Sequence, residues 1–131
     1  MSRSRSAFTL VGLVLLFLVV GTAGAANRES VLYAFHGKDG RGGGSLIVGS
    51  DGNLYGTTAD GGKNICPGSG GIGCGVVFRL ARGANGKWRE TVLHAFDDTD
   101  GFIPAGTLVL DKKGSLYGTT VYGGSACSQL A

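Results

Sequence analysis

Three cysteines, two histidines and one run of aspartates are the residues of this chain whose types and spacing could do chemistry. Cys66 and Cys74 bracket the segment 67–73, a spacing that suits either a local disulfide or half of a metal site. His36 and His94 are remote in sequence from both cysteines and make no ligand pair, so a disulfide pinning the loop is the favoured reading. Cys127 is then left without a partner in the sequence. Asp97, Asp98 and Asp100 precede Gly101 and suggest a Ca2+ loop. An EF-hand needs oxygen ligands at positions 1, 3 and 5 and a bidentate Glu at 12, but Phe96 takes the first position and no such Glu follows. A solvated turn is the stronger reading, and no cofactor is otherwise implied. Gly68, Gly70 and Gly73 fit G-x-G-x-x-G. A pyrophosphate site needs that motif between a strand and a helix, and a strand-like run follows it here.

For nucleophilic catalysis there is no G-x-S-x-G and no Cys-His arrangement in context. No catalytic residue is assigned. A paired-carboxylate glycosidase stays open, because carboxyl separation is a spatial property. The polar and aromatic residues that recur are Tyr55, Thr57 and Thr58 in one place and Tyr117, Thr119 and Thr120 in another. They are either the framework of a repeated unit or, displayed along one rim, a surface facing a carbohydrate or peptide ligand.

The elements that must position these residues repeat. Glu29–Phe35, Asp39-Gly40, Leu46–Val48 and Gly52–Thr58 match Glu90–Phe96, Asp100-Gly101, Leu108–Leu110 and Gly114–Thr120. The offset is 61 residues up to Gly101 and 62 from Leu108. One period holds four expected strands: Leu46–Gly49, Leu54–Thr58, Val76–Leu80 and Trp88–Phe96. In the last, Trp88, Val92 and Phe96 share an even spacing and hence one expected face. Asp51-Gly52 and Asn85-Gly86 lie between apolar runs and predict hairpins with type I′ turns. No apolar period of 3.6 residues outlasts a turn. The expected fold is all-β, with four-stranded antiparallel units of β-propeller blade type, although the period exceeds the 40–50 residues of common propeller repeats. Glu29–Phe35 would be the fourth strand of a preceding unit. A stacked solenoid or a pair of sheets is the alternative.

The N-terminus reads as a leader. Arg3 and Arg5 precede the uncharged stretch 7–20, and Ala23-Gly24-Ala25 supplies a cleavage site between Ala25 and Ala26. Fourteen apolar residues fall short of the roughly 20 that a spanning helix needs. A helical signal peptide over 1–25 is therefore expected, with secretion or surface display and no mature membrane span. Removing it leaves ten Lys and Arg against nine Asp and Glu, scattered in both signs, which gives no ground for a nucleic-acid partner. The mature chain is glycine-rich, with 23 glycines in 106 residues, because short strands joined by tight turns use positive φ.

The phrases Asp51–Thr58, Gly75–Leu80 and Thr91–Phe96 resemble the bacterial GloVer tandem repeat, over essentially all of residues 29–127. The resemblance implies signal-bearing exported proteins with variable C-terminal anchors, long repeat arrays expected to form propellers, and no assigned enzymatic activity. A likeness to exported repeats named for a His-Ala-Phe motif rests on His94-Ala95-Phe96 alone, and the first copy has Tyr33 in place of His94. The expected organisation is a leader (1–25), a closing-type strand region (26–44), one complete unit (45–106) and a second unit cut short (107–131). The chain is thus expected to be a fragment of a longer array; if the short product were whole, it would self-associate to cover its sheet faces. The expected function is a non-catalytic exported binding or scaffold protein. The alternative is part of a secreted propeller enzyme acting on glycans.

Overall fold

The structure, a computed structural model, describes residues 29–124. The expected leader, the expected Ala25–Ala26 cleavage site and Cys127 lie outside the described residues. Within them the chain is all-β, with six strands: β1 (Leu46–Val48), β2 (Leu54–Thr58), β3 (Val76–Arg82), β4 (Trp88–Ala95), β5 (Phe102–Leu110) and β6 (Leu116–Tyr122). The first four make an antiparallel sheet in the order β1-β2-β3-β4, and the last two make a separate hairpin. No helix among the described residues is long and apolar enough to cross a membrane.

The sheet forms where apolar and β-branched residues alternate. Along β3, Val76, Phe78 and Leu80 are buried on one face while Val77 and Arg79 point to the other. Leu54, Gly56 and Thr58 of β2 pair with Leu80, Phe78 and Val76, which puts them on the same face. Gly56 is required there: a Cβ at this position would lie 2.7 Å from the Phe78 ring. Five residues link β1 to β2, β3 to β4 and β5 to β6; in each link a backbone bond between the end residues (Gly49–Asn53, Gly83–Lys87, Asp111–Ser115) leaves a three-residue loop. Each loop is closed by an i→i+3 bond and ends on a glycine at positive φ: Gly52 (76°), Gly86 (75°) and Gly114 (88°). Asp51 and Asn85 keep negative φ. These are type I turns followed by a left-handed bulge residue, which corrects the expected type I′ geometry. The side chains of Asp51 and Asn85 accept amide hydrogens two residues on, and that bond favours the longer loop.

Two further differences decide the layering. A register shift between Val77 and Phe78 sets Val77 opposite His94 and Phe78 opposite Val92, leaving Leu93 as the extra residue of a β-bulge. The bulge turns the end of β4 over. Trp88 and Ala95 pack on the Val76–Phe78–Leu80 cluster, whereas Phe96, grouped by even spacing with Trp88 and Val92, lies with Val77 and Thr57 on the opposite side. The segment 29–35 forms no strand. It crosses the face of the sheet instead of extending an edge, because Tyr33 and Phe35 gain more by covering the apolar cluster; the Phe35 ring meets Phe78 edge-on at 4.9 Å.

The hairpin β5–β6 lies against the other face. Ser45 Oγ donates to the Gly106 carbonyl at 2.6 Å, and the Ile103 amide donates to the Cys74 carbonyl at 3.1 Å. Its pairing follows the earlier one at an offset of 62: Ile47↔Tyr55 and Val48↔Leu54 correspond to Val109↔Tyr117 and Leu110↔Leu116. The contacts around it correspond too. Gly40 and Gly101 both sit where a Cβ would strike the side chain of Thr58 and Thr120, respectively, and Gly61 and Gly123 share a φ of 82°.

Candidate functional site

The reactive residues fall into a disulfide loop, two aspartate-capped turns, the recurring Tyr-Thr set and a groove beside Trp88. Cys66 and Cys74 form the disulfide, with Cα atoms 5.2 Å apart and both residues buried. The loop between them is closed by further bonds, from the Ser69 amide to Cys66 O and from the Ile72 amide to Ser69 O. It is tied to the chain where Gly61 and Gly73 pass so closely that a Cβ on Gly73 would lie upon the Gly61 carbonyl. Gly68 and Gly70 stand in open space, and the loop leads into β3. The G-x-G-x-x-G spacing therefore carries no helix N-terminus at which pyrophosphate could sit.

The Asp97–Gly101 turn is built from its own hydrogen bonds. Asp100 Oδ1 accepts the Asp97 amide, and its Oδ2 pairs with His94 Nε2 at 2.6 Å. Asp97 accepts both the amide and the hydroxyl of Thr99, and these bonds, the hydroxyl foremost, hold its carboxyl below the usual range. Among the described residues no group of three or more His, Cys, Asp or Glu side chains is placed to hold a metal ion. The turn at 36–40 has the same design, offset by 61. Asp39 accepts the His36 amide at 2.6 Å and the Tyr33 hydroxyl at 2.5 Å. Tyr33 thus takes the role of His94, each ring standing edge-on to the phenylalanine two residues on, at 5.3 and 4.7 Å.

The recurring tyrosines and threonines divide by burial. Thr57 and Thr58 are 3% and 1% exposed and present nothing to solvent. Thr119 and Tyr117 are exposed, and Thr120 is half-buried. Tyr55 and Tyr117 each donate their hydroxyl to a turn aspartate, at 2.7 Å to Asp51 and 3.2 Å to Asp111. Those two aspartates do not align at the repeat offset. Asp111 stands where the first copy has Gly49, and Asp51 where the second has Lys113. The partner is preserved although its position in the turn has moved.

One carboxylate that sequence reasoning passed over stands apart. Glu90, on β4, is half-buried, its Oε1 has no hydrogen-bond partner among the described residues, and burial together with the nearby Asp39 charge pushes its pKa up. It lines an open groove of about 320 Å³ with Tyr33 and Trp88. Across it, the hydrogen bond to Asp39, followed by burial and the Asp39 charge, pushes the Tyr33 phenol up to about 12. Asp39 itself is held low: burial raises it, but the bonds from Tyr33 and His36 outweigh that. The groove therefore combines one carboxyl of raised pKa with two aromatic rings, and the ionised Asp39 stands behind Tyr33 as its hydroxyl acceptor. The signal for it was the recurrence of Glu29 at Glu90; Glu29 is exposed, so only the second copy places the carboxyl in a groove.

Compared with known proteins, the chain matches no family model, no curated protein and no solved structure.

Proposed function

We propose that this chain belongs to an exported tandem-repeat array of the GloVer type, with propeller-like units, serving as a non-catalytic binding or scaffold protein of the cell surface or medium. The observation that carries this reading is how the recurring residues are spent. Tyr55 and Tyr117 brace turns, Thr58 and Thr120 receive Gly40 and Gly101, and Asp39 and Asp100 cap their own loops. Recurrence in this chain therefore serves framework contacts, as expected where each unit must stack on the next. The leader over 1–25 and the Cys66–Cys74 bond agree with an oxidising destination. The ligand class this reading favours is carbohydrate or peptide, met at the groove of Tyr33, Trp88 and Glu90 or on the exposed Tyr117 and Thr119.

Glu90 supports the second reading, a part of a secreted enzyme acting on glycans, since a carboxyl of raised pKa near an ionised one is what general acid catalysis requires. One experiment separates the two. The chain is expressed with its leader in a bacterial host, recovered from periplasm or medium, and presented to a panel of glycans with detection of both binding and released reducing ends. Binding without turnover, on a product beginning at Ala26, is the expected result. Turnover abolished by Glu90→Gln would favour the enzyme, and retention of the product in the cytoplasm would overturn export.

A further inference from the structure

We infer that β6 and the groove beside it form an acceptor site for one extended segment of the Val-x-Phe-x-Leu type, the third strand of a further copy of the same unit. The first half of the molecule shows the site filled. There β2 is paired along both edges, with β1 on one side and β3 on the other, and Gly56, Thr57 and Thr58 are buried. Phe78 of β3 lies over Gly56 and meets Phe35 edge-on. Shifted by 61 or 62 residues, Gly56 becomes Gly118 and Phe35 becomes Phe96. Both line a groove of about 360 Å³, together with Leu93, Leu108 and Leu116.

What the second half lacks, among the described residues, is the counterpart of β3. Among the described residues β6 pairs with β5 alone, and no strand lies beside its other edge. The effect is local to the missing partner. Gly118 and Thr119 are exposed where Gly56 and Thr57 are buried, and Tyr117 is 56% exposed where Tyr55 is half-buried. The unpaired edge supplies backbone donors and acceptors for a ladder, and the groove supplies apolar volume for alternate side chains, the two requirements of strand addition. The absence of a side chain at Gly118 specifies an aromatic residue at the centre of the guest, as Phe78 sits over Gly56. The inference shares with the array reading only the spacing of 61 to 62 residues; export and ligand play no part in it, so its failure would leave those open.

The test uses the full chain and a synthetic peptide with the sequence of residues 75–83, followed by amide chemical shifts of the protein. Saturable one-to-one binding is expected, with the largest shifts at Leu116–Thr120 and Phe96. At least a tenfold loss of affinity is expected when the peptide carries the change Phe78→Asp. Three results would overturn the proposal: no shift at millimolar peptide, equal binding of the aspartate peptide, or shifts confined to the edges of β1 or β4. Gly118→Ala in the protein should weaken the same peptide while leaving the shifts of β1–β4 in place, which separates a filled groove from a misfolded chain.

Discussion

Glu90 and Asp39 are near enough for the Asp39 charge to act on Glu90, yet their pKa values move in opposite directions, and their replacements should too. A carboxyl whose folded pKa is raised stabilises the protein only at low pH, and the native state loses that advantage as pH rises through the folded value. Glu90→Gln should therefore raise the melting temperature at pH 7 and change it little near pH 4. Asp39 is the reverse case. Its folded pKa is depressed, so its contribution is full above the unfolded value and is lost as pH falls through the folded one. Asp39→Asn should cost about 1.5–3 kcal/mol at neutral pH, in line with hydrogen bonds to a charged group, and the difference should vanish only below the lowered Asp39 value. Urea titrations at pH 7 and pH 4 check Glu90→Gln, and titrations at pH 7 and about pH 2, below the lowered Asp39 value, check Asp39→Asn. A loss of stability in Glu90→Gln at pH 7 would show that its carboxylate has a partner. Selecting a hydroxyl acceptor for a tyrosine constrains distance in space, so Asp51 and Asp111 satisfy it from different turn positions, and no alignment of the two copies pairs them.

At the scale of elements, short apolar runs and turn residues marked the strands well. Val76–Leu80 and Leu54–Thr58 were legible as short runs of apolar, aromatic or β-branched residues beside Asp-Gly or Asn-Gly pairs. What the pattern did not carry was the bulge at Leu93. An extra residue leaves the composition unchanged and alters only which face each side chain meets, so even spacing grouped Phe96 with Trp88 and Val92. Loop geometry was half legible. The cysteine spacing read correctly as a disulfide, and removing it through the double change Cys66→Ser and Cys74→Ser should cost about 2.5 kcal/mol from the entropy of so short a loop. Chemical denaturation of oxidised and double-variant protein measures this. Glycines of like φ should differ sharply in tolerance. Gly86→Ala meets open surface and should cost about 1 kcal/mol, the penalty of the left-handed backbone. At Gly61 a Cβ would lie 2.5 Å from the Gly37 carbonyl, so Gly61→Ala should be several times more damaging. Equal melting temperatures for the two alanine variants would contradict that packing.

Among the described residues, the two layers share one relation: the segment preceding each sheet lies across its face. Tyr33 and Phe35 cover the sheet β1–β4, and His94 and Phe96 stand in the same relation to the hairpin β5–β6. The sequence displayed the spacing but not this crossing, since a segment with strand-like alternation such as 29–35 can extend an edge or cap a face, and only the position of Phe78 decides between them. The relation has a consequence for stability. Phe35 and Phe96 are equivalent by offset, yet Phe35 is wedged against Phe78 whereas Phe96 borders an open groove. Phe35→Ala should cost about 2 kcal/mol, less than a fully buried phenylalanine because its ring is half-buried, and Phe96→Ala about 1 kcal/mol. Denaturation of the two variants side by side measures the inequality. Equal costs would mean that the hairpin already covers Phe96 as completely as the sheet covers Phe35. The unequal costs expected here would tie the stability of each phenylalanine to the presence of a third strand in the unit it faces.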